Sequence, residues 1–584
     1  MGKRVHGSNK LEDFCDGNVF KEYPLFSCDS KALQIICYYD ELEVANPLGA
    51  YVKKHKVGVG FFTLGNIQPK YRSRLRSVNL TFVCKAEIVE KHGMNQVLQP
   101  LVRDLNILAT KGITISIDGI DHTYKGALIA FVADTPASHL VGGFKKSVES
   151  AYRPCRTCMS SSGSLKQIFD SKEFQLRTTM AHEAQCKLLS GALHNHYSMT
   201  YGINERSILL DVKYFSMLNW GLPHDIMHDL FEGVVQYEIK LLLFHCIASK
   251  YFSLEEFNHR LIGFEYGYSE VADKPTVITS QHIHSDGKHL RQGSAQSWLL
   301  ARILPLLVGS IIPESDAHWQ CYLKLLKIID IALAPLISKD VCGVLGVLIK
   351  EHHNAFKKLN PGWTITPKMH YMIHYPMQIV ALGPLIRAWT MRYEAKLYLL
   401  KCAGRISNFK NISQTVSLRH QRWMCYELSA GGAFQSYMEC GPCFGAVPLC
   451  NEVSLIKEQI LKVVPQINTD VLVYRTSWAK VNGIVYKPNN AYIVCKVVNH
   501  DLAEPTPVFG CIEEIVIFGS TVVLFVVGTF ESEYFDDHYH AYVVKRSAER
   551  LVVPHEQLVD HTIYHCRRIC GKLYINLKYY VSFS

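Results

Sequence analysis

Apolar residues first fall into a regular pattern near Lys31. From there ALQIICYYDE, KVGVGFFTLG and SVNLTFVCKAEIV are short runs rich in β-branched and aromatic types, the composition of strands. Asn46-Pro47-Leu48-Gly49 predicts a turn between the first two. In NQVLQPLVRDLNILAT the apolar positions are Val97, Leu98, Leu101, Val102, Leu105 and Leu108, one face of a helix. ITISIDG and HTYKGALIAFVAD then predict a hairpin whose second strand is buried. Residues 1–30 carry no periodicity and are expected to be irregular. Long apolar runs such as HDLFEGVVQYEIKLLLFHCIAS and AQSWLLARILPLLVGSI make residues 175–365 helical in character. Beyond residue 468 short strands recur at intervals that suggest a small β-barrel or sandwich, with residues 431–467 as the link to it.

Composition narrows the class. A chain of 584 residues is too long for one core and is expected to hold two or three units. With 48% hydrophobic and 20% charged residues it reads as globular. Its longest apolar stretches fall short of the roughly 18 residues of a membrane span, and MGKRVHGSNKLEDFCDG has no signal-peptide core. A soluble, intracellular protein is expected. The 19 cysteines are mostly scattered singly through apolar runs, as reduced core thiols are. A net charge of +10 permits a polyanionic partner without requiring one.

Three acids stand out against this frame. Asp40 ends the run LQIICYYD, Asp134 ends GALIAFVAD, and Glu394 sits in the helix-like WTMRYEAKLYLL. Acids at two strand ends and on a later helix suit a pair of divalent cations acting on a phosphodiester. Taken singly, each also reads as an ordinary strand-end or loop acid. Cys155-Arg-Thr-Cys158 has ligand spacing, and His370 and His374 at i and i+4 are expected on one helix face, together a Cys2His2 set suited to zinc. The histidine pair lacks the glutamate of H-E-x-x-H, since Tyr371 follows His370, which disfavours zinc proteolysis. Cys440-Gly-Pro-Cys443, near Cys450, reads as a turn with incidental cysteines. Asp225-Ile-Met-His228 opens a helical run and reads as capping or orienting. After Glu394, the cations Lys396, Lys401, Arg405, Lys410, Arg419 and Arg422 alternate with Tyr398, Phe409 and Trp423, a stretch able to track a DNA backbone. Lys70, Arg72, Arg74 and Arg76 form a second basic run.

Together GALIAFVADTPASHLVGGF, YRPCRTC, GLPHDIMHDLFEGV, KMHYMIHYP and AWTMRYEAKLYLLK resemble the transposases of the CACTA (En/Spm-like) class, and their order is similar to the catalytic core of the V(D)J recombinase. In those proteins a C-x2-C follows the second catalytic Asp by about twenty residues and a His pair precedes the Glu by a similar distance. Here 155 − 134 is 21 and 394 − 374 is 20. The resemblance covers roughly residues 30–430. It implies an α/β RNase H-like catalytic core interrupted by a large all-helical insertion and followed by a small all-β C-terminal domain. The segments expected are an irregular 1–30, a first part of the core at 31–174, the insertion at 175–365, the rest of the core at 366–430, a linker at 431–467 and the β-rich domain at 468–584.

Residue by residue, the resemblance makes Asp40, Asp134 and Glu394 the DDE triad, binding Mg²⁺ or Mn²⁺. Cys155, Cys158, His370 and His374 become the structural zinc ligands, and Asp225 with His228 match a D-x2-H signature. A three-residue slip in the local match would put Glu43 in place of Asp40. The activity implied is DNA cleavage and strand transfer at element ends, in the nucleus, by a homo-oligomer away from membranes. Lys396, Lys401, Arg405 and Lys410 are the expected DNA contacts. About 30 residues precede the first strand and hold no zinc finger or helix-turn-helix, so a truncated or domesticated copy is one expectation. The rival functions are a non-catalytic DNA- or chromatin-binding descendant of a transposase and a plain nuclease without strand transfer.

Overall fold

A computed structural model describes residues 9–44, 56–405, 410–431, 438–463, 467–499, 505–518 and 522–583. The turn expected at Asn46–Gly49 and Phe409 lie outside them. Two compact units divide the chain: residues 1–234 with 331–433, and residues 235–330 with 434–584.

In the first unit, β1 (Leu33–Glu43), β2 (Lys56–Leu64) and β3 (Asn79–Lys85) form an antiparallel meander. A hairpin, β4 (Ile113–Ile117) with β5 (Ile120–Tyr124), precedes β6 (Gly126–Val132), and β6 returns to lie parallel to β1. The sheet order is β3-β2-β1-β6. A parallel neighbour needs a crossover, and the helix Met94–Thr110 supplies it. Side chains of β1 alternate between two cores. Ile36, Tyr38 and Leu42 face Tyr393, Leu397 and Leu400 of the helix Met391–Arg405. Ile35, Cys37 and Tyr39 face Leu98, Val102 and Leu105 of the crossover helix. With helices on both faces, β6 is buried along its whole length, which is why its sequence is an unbroken apolar run.

Three expectations change here. ITISI pairs with IDHTY rather than with the buried strand, and the hairpin presents Ile113, Ile115, Ile117 and Ile120 to solvent. Residues 1–30 are not uniformly irregular: Asn18–Glu22 and Pro24–Cys28 are helical, and Phe14, Tyr23, Leu25 and Phe26 enter the core. Tyr23 donates to the Leu128 carbonyl at 2.9 Å, fastening this segment to β6. Elements this short give too few repeats for a periodic signal. The run 175–365 is not one insertion, because 175–234 and 331–365 belong to the first unit and 235–330 to the second. Apolar helices look alike in sequence whichever core they face.

The second unit combines helices such as Val235–Ala248, Leu254–Gly263 and Ser294–Val308 with a nine-stranded sheet. Its strands are β7 (Cys443–Pro448), β8 (Leu472–Thr476), β9 (Tyr492–Val498), β10 (Thr506–Phe518), β11 (Val522–Asp536), β12 (Ala541–Pro554), β13 (Asp560–Tyr564), β14 (Cys566–Ile569) and β15 (Lys572–Ile575). The order is β7-β8-β10-β11-β12-β15-β14, with β9 joining β10 to β13. The β-rich region is thus not a domain apart: buried Glu270 pairs with Arg567 of β14 and, at 3.7 Å, with Arg302 of the Ser294–Val308 helix. Nor is 431–467 a plain linker, since β7 and the helix Ser454–Val463 lie within it, Ile456 and Ile460 packing against Val473 and Val516. Among the described residues no helix is long and apolar enough to cross a membrane.

Candidate active site and metal centre

Register brings the first two acids together. Tyr38 of β1 pairs with Val132 of β6 in parallel, and Asp40 and Asp134 each stand two residues beyond that pair. They therefore occupy the same end of adjacent strands, the rim at which a charge avoids the apolar layers. Asp134 also caps the helix Thr135–Val141, its Oδ1 accepting from the Ala137 amide at 2.7 Å. Glu394 arrives from the first turn of Met391–Arg405, which Tyr393 holds down by stacking on Tyr38 at 4.5 Å and bonding Thr63 at 2.8 Å.

The Tyr38 hydroxyl joins the acids. It donates to Glu394 Oε1 at 2.8 Å and lies 3.3 Å from Asp40 Oδ2. Burial, then the charges of Glu394 and Asp134, pushes Asp40 up to about 8. Burial also raises Glu394. A buried carboxylate held this far above its ordinary range is short of positive charge, and a divalent cation supplies it. The ligand atoms of the three acids do not all lie within 4.8 Å of one another; two cations about 3.5–4 Å apart spread their ligands wider than one ion does. Glu43 falls on the opposite face of β1 from Tyr38 and Asp40, by the alternation of the strand.

Asp225 and His228 brace this arrangement. Asp225 is buried; its Oδ1 accepts from the Thr390 amide at 3.0 Å and its Oδ2 from the Thr390 hydroxyl at 2.7 Å. Thr390 in turn accepts the Glu394 amide at 3.0 Å, so Asp225 fixes the start of the Glu394 helix. His228 Nδ1 lies 2.6 Å from Asp225 Oδ2. Burial lowers the His228 imidazole, but the Asp225 carboxylate outweighs this and raises it to about 10. Asp225 itself is held below its ordinary value, burial being overcome by His228 and Thr390. Asp225 thus favours the imidazolium form of His228, whose charge works to lower Asp40 and Glu394.

The Cys2His2 set is assembled from distant segments. The loop of Cys155 and Cys158 is clamped by two buried arginines: Arg177 donates to the Cys155 carbonyl at 2.8 Å, and Arg156 to Leu222 and Pro223 at 3.1 and 2.8 Å. His370 lies in the short helix Pro367–Met372, capped by Thr366. His374 does not share that helix as expected; it stands at the start of the next one, Tyr375–Leu382, and Pro376 explains the break. All four ligand atoms lie within 4.8 Å of one another, and all four residues are buried. Cys155 Sγ is 3.5 Å from His374 Nε2 and Cys158 Sγ is 3.4 Å from His370 Nε2. Zinc with its usual bond lengths sets S···N edges of about 3.5 Å in a tetrahedron, so donor chemistry and spacing both fit that ion. Burial raises the Cys155 thiol, yet Cys158 and the neighbouring imidazoles bring it well below its ordinary value, as a thiolate ligand requires. The Cys158 thiol is raised by its bond to Cys155 and by burial.

The basic stretch divides. Lys396 is fully buried, donating to the Leu75 carbonyl at 2.9 Å and lying 3.7 Å over the Trp423 ring, and burial lowers it to about 7. It is a core residue and not a DNA contact. Lys401 is half-buried, and Arg405 and Lys410 are exposed. Arg72 of the earlier run is likewise buried, paired with Asp13 at 2.5 Å. Cys440 and Cys443 approach to 3.8 Å between Sγ atoms in the second unit.

Sequence reasoning passed over Tyr38, Thr390 and His224. Tyr38 was accessible, since residue i−2 shares a strand face with Asp40. Thr390 lies four residues before Glu394, but its partner is 165 residues away in sequence. His224 stacks on Tyr371 at 4.5 Å and bonds Thr157 Oγ1 at 3.0 Å beside the cysteines, with no motif to mark it. No protein-family model matches the sequence, and no curated protein does.

Proposed function

We propose that this chain is a DDE-type DNA transposase, or a protein derived from one, built on an RNase H-like core. The observation that carries the reading is the Tyr38 hydroxyl joining Asp40 to Glu394, with Asp134 at matched register on the next strand. Asp40, Asp134 and Glu394 would hold two Mg²⁺ or Mn²⁺ ions, which when bound activate water towards a phosphodiester and neutralise charge on the leaving oxygen. The protein's own part is positional: the parallel pair fixes the two aspartates, and the Asp225–Thr390 brace fixes the glutamate. The Cys2His2 set, with zinc, fastens the 155–158 loop to the two helices that lead towards Glu394. Exposed Arg405 and Lys410, with Lys401, offer the phosphate contacts.

On this reading the partners are element-end and target DNA in the nucleus, engaged by a homo-oligomer, and the freed 3′-OH is joined to a target. Asp134→Asn is expected to abolish cleavage while leaving DNA binding intact; cleavage retained by that variant removes Asp134 from the mechanism. Pre-cut ends joined to a target plasmid separate a transposase from a nuclease, which would leave them unjoined. DNA binding without any cleavage would favour a non-catalytic descendant.

A further inference from the structure

We infer that the second unit carries a divalent-metal site of its own, formed by His245, Asp316 and His318, of a class suited to Zn²⁺. These three offer ligand atoms that all lie within 4.8 Å of one another. His245 comes from the last turn of Val235–Ala248, Asp316 immediately precedes the helix Ala317–Ala332, and His318 lies in that helix's first turn.

The carboxylate is held in a single-oxygen pose. Asp316 Oδ1 accepts from the Trp319 amide at 2.9 Å, which leaves Oδ2 as the oxygen presented to the histidines. Oδ2 stands 2.8 Å from His245 Nε2 and accepts from the Tyr251 hydroxyl at 3.0 Å. Tyr251 thus occupies the place of the outer partner that orients a ligating carboxylate. The side chain of Asp316 is only 6% exposed, and that of His245 is 24% exposed, so the group is sheltered and still reachable from solvent.

The two imidazoles stack with centroids 3.8 Å apart and planes 20° from parallel. Imidazoles bound to one ion at about 2.0–2.1 Å stand farther apart than this, so the two rings must swing apart to take up the ion. A divalent ion would serve both rings and the carboxylate at once. Two imidazoles and one carboxylate match the preferences of zinc and its neighbours, while Mg²⁺ prefers oxygen. Three protein donors leave one position for water. Such an ion would fasten the end of one helix to the start of the other.

The test uses the full-length chain equilibrated with Zn²⁺ in excess Mg²⁺, which occupies carboxylate-only sites. Bound zinc is counted by mass spectrometry for wild type, His245→Gln and His318→Gln, with circular dichroism to confirm folding. Each variant is expected to hold one zinc fewer than wild type and to keep the ion of the Cys2His2 set. Equal zinc in all three folded proteins overturns the site. A second measurement needs no variant: diethylpyrocarbonate labelling of His245 and His318 in wild type, mapped by peptide mass, is expected to be suppressed by Zn²⁺. Labelling unaffected by zinc overturns the inference equally.

Discussion

Replacing Asp40 by Asn is expected to stabilise the first unit when no Mg²⁺ is present. An Asp in an unfolded chain titrates near 3.9, whereas burial and the charges of Glu394 and Asp134 bring Asp40 to about 8 in the folded protein. Between those values folding takes up a proton, so Asp40 weakens the fold progressively as pH rises through the window. Below about 4 both states are protonated and the effect vanishes. Each pH unit is worth about 1.4 kcal/mol, giving at most about 4 kcal/mol at pH 7. Protons shared with Glu394 and partial solvation bring a realistic figure to about 2–4 kcal/mol. Asn retains the Oδ1 that accepts from the Glu41 amide at 2.7 Å, so the change is close to charge removal alone. The assay is thermal unfolding of wild type and Asp40→Asn in Mg²⁺-free buffer without chelator, which would spare an ion held by the Cys2His2 set. The variant should melt several degrees higher at pH 7 and equally at pH 4. Saturating Mg²⁺ should raise wild type and leave the variant nearly unmoved. A variant that melts lower at pH 7, or gains equally at both pH values, would refute the reasoning.

Thr390→Val removes the hydroxyl bond to Asp225 and is expected to lower Mg²⁺ affinity or cleavage rate about 10–100-fold, as loss of outer partners does, with melting nearly unchanged; equal activity would dismiss the brace. Cys155→Ser should abolish zinc retention and cost about 3–5 kcal/mol by disrupting a buried charged set, read by metal analysis and denaturant titration. Lys396→Met should leave the salt dependence of DNA binding unchanged, because its ammonium is spent on Leu75 and Trp423. Arg405→Ala with Lys410→Ala should reduce the slope of log K against log salt by about 1.8, near 0.9 per lost phosphate contact.

The sequence revealed most where chemistry and local pattern coincide. The unbroken apolar run before Asp134 followed by Thr-Pro marks a covered strand that stops at a charge, and β6 is that strand. The four Cys2His2 positions stood out by spacing, and the structure draws them into one cluster. Lys396 misled because a charge run has no rotation: on its helix it lies three residues from Tyr393 and four from Leu400, on the buried side. The Asp225–Thr390 contact spans 165 residues and leaves no local trace. The same holds for residues 235–330, whose apolar helices do not advertise that their unit is completed by residues 434–584.

The central claim is that Asp40, Asp134 and Glu394 form a working metal-dependent site on DNA. Purified full-length protein incubated with supercoiled plasmid and Mg²⁺ or Mn²⁺, beside Glu394→Gln, tests it most directly. Nicking by wild type that disappears in the variant is the predicted result; nicking of equal rate in both, or none by wild type with either metal while DNA is bound, would contradict it.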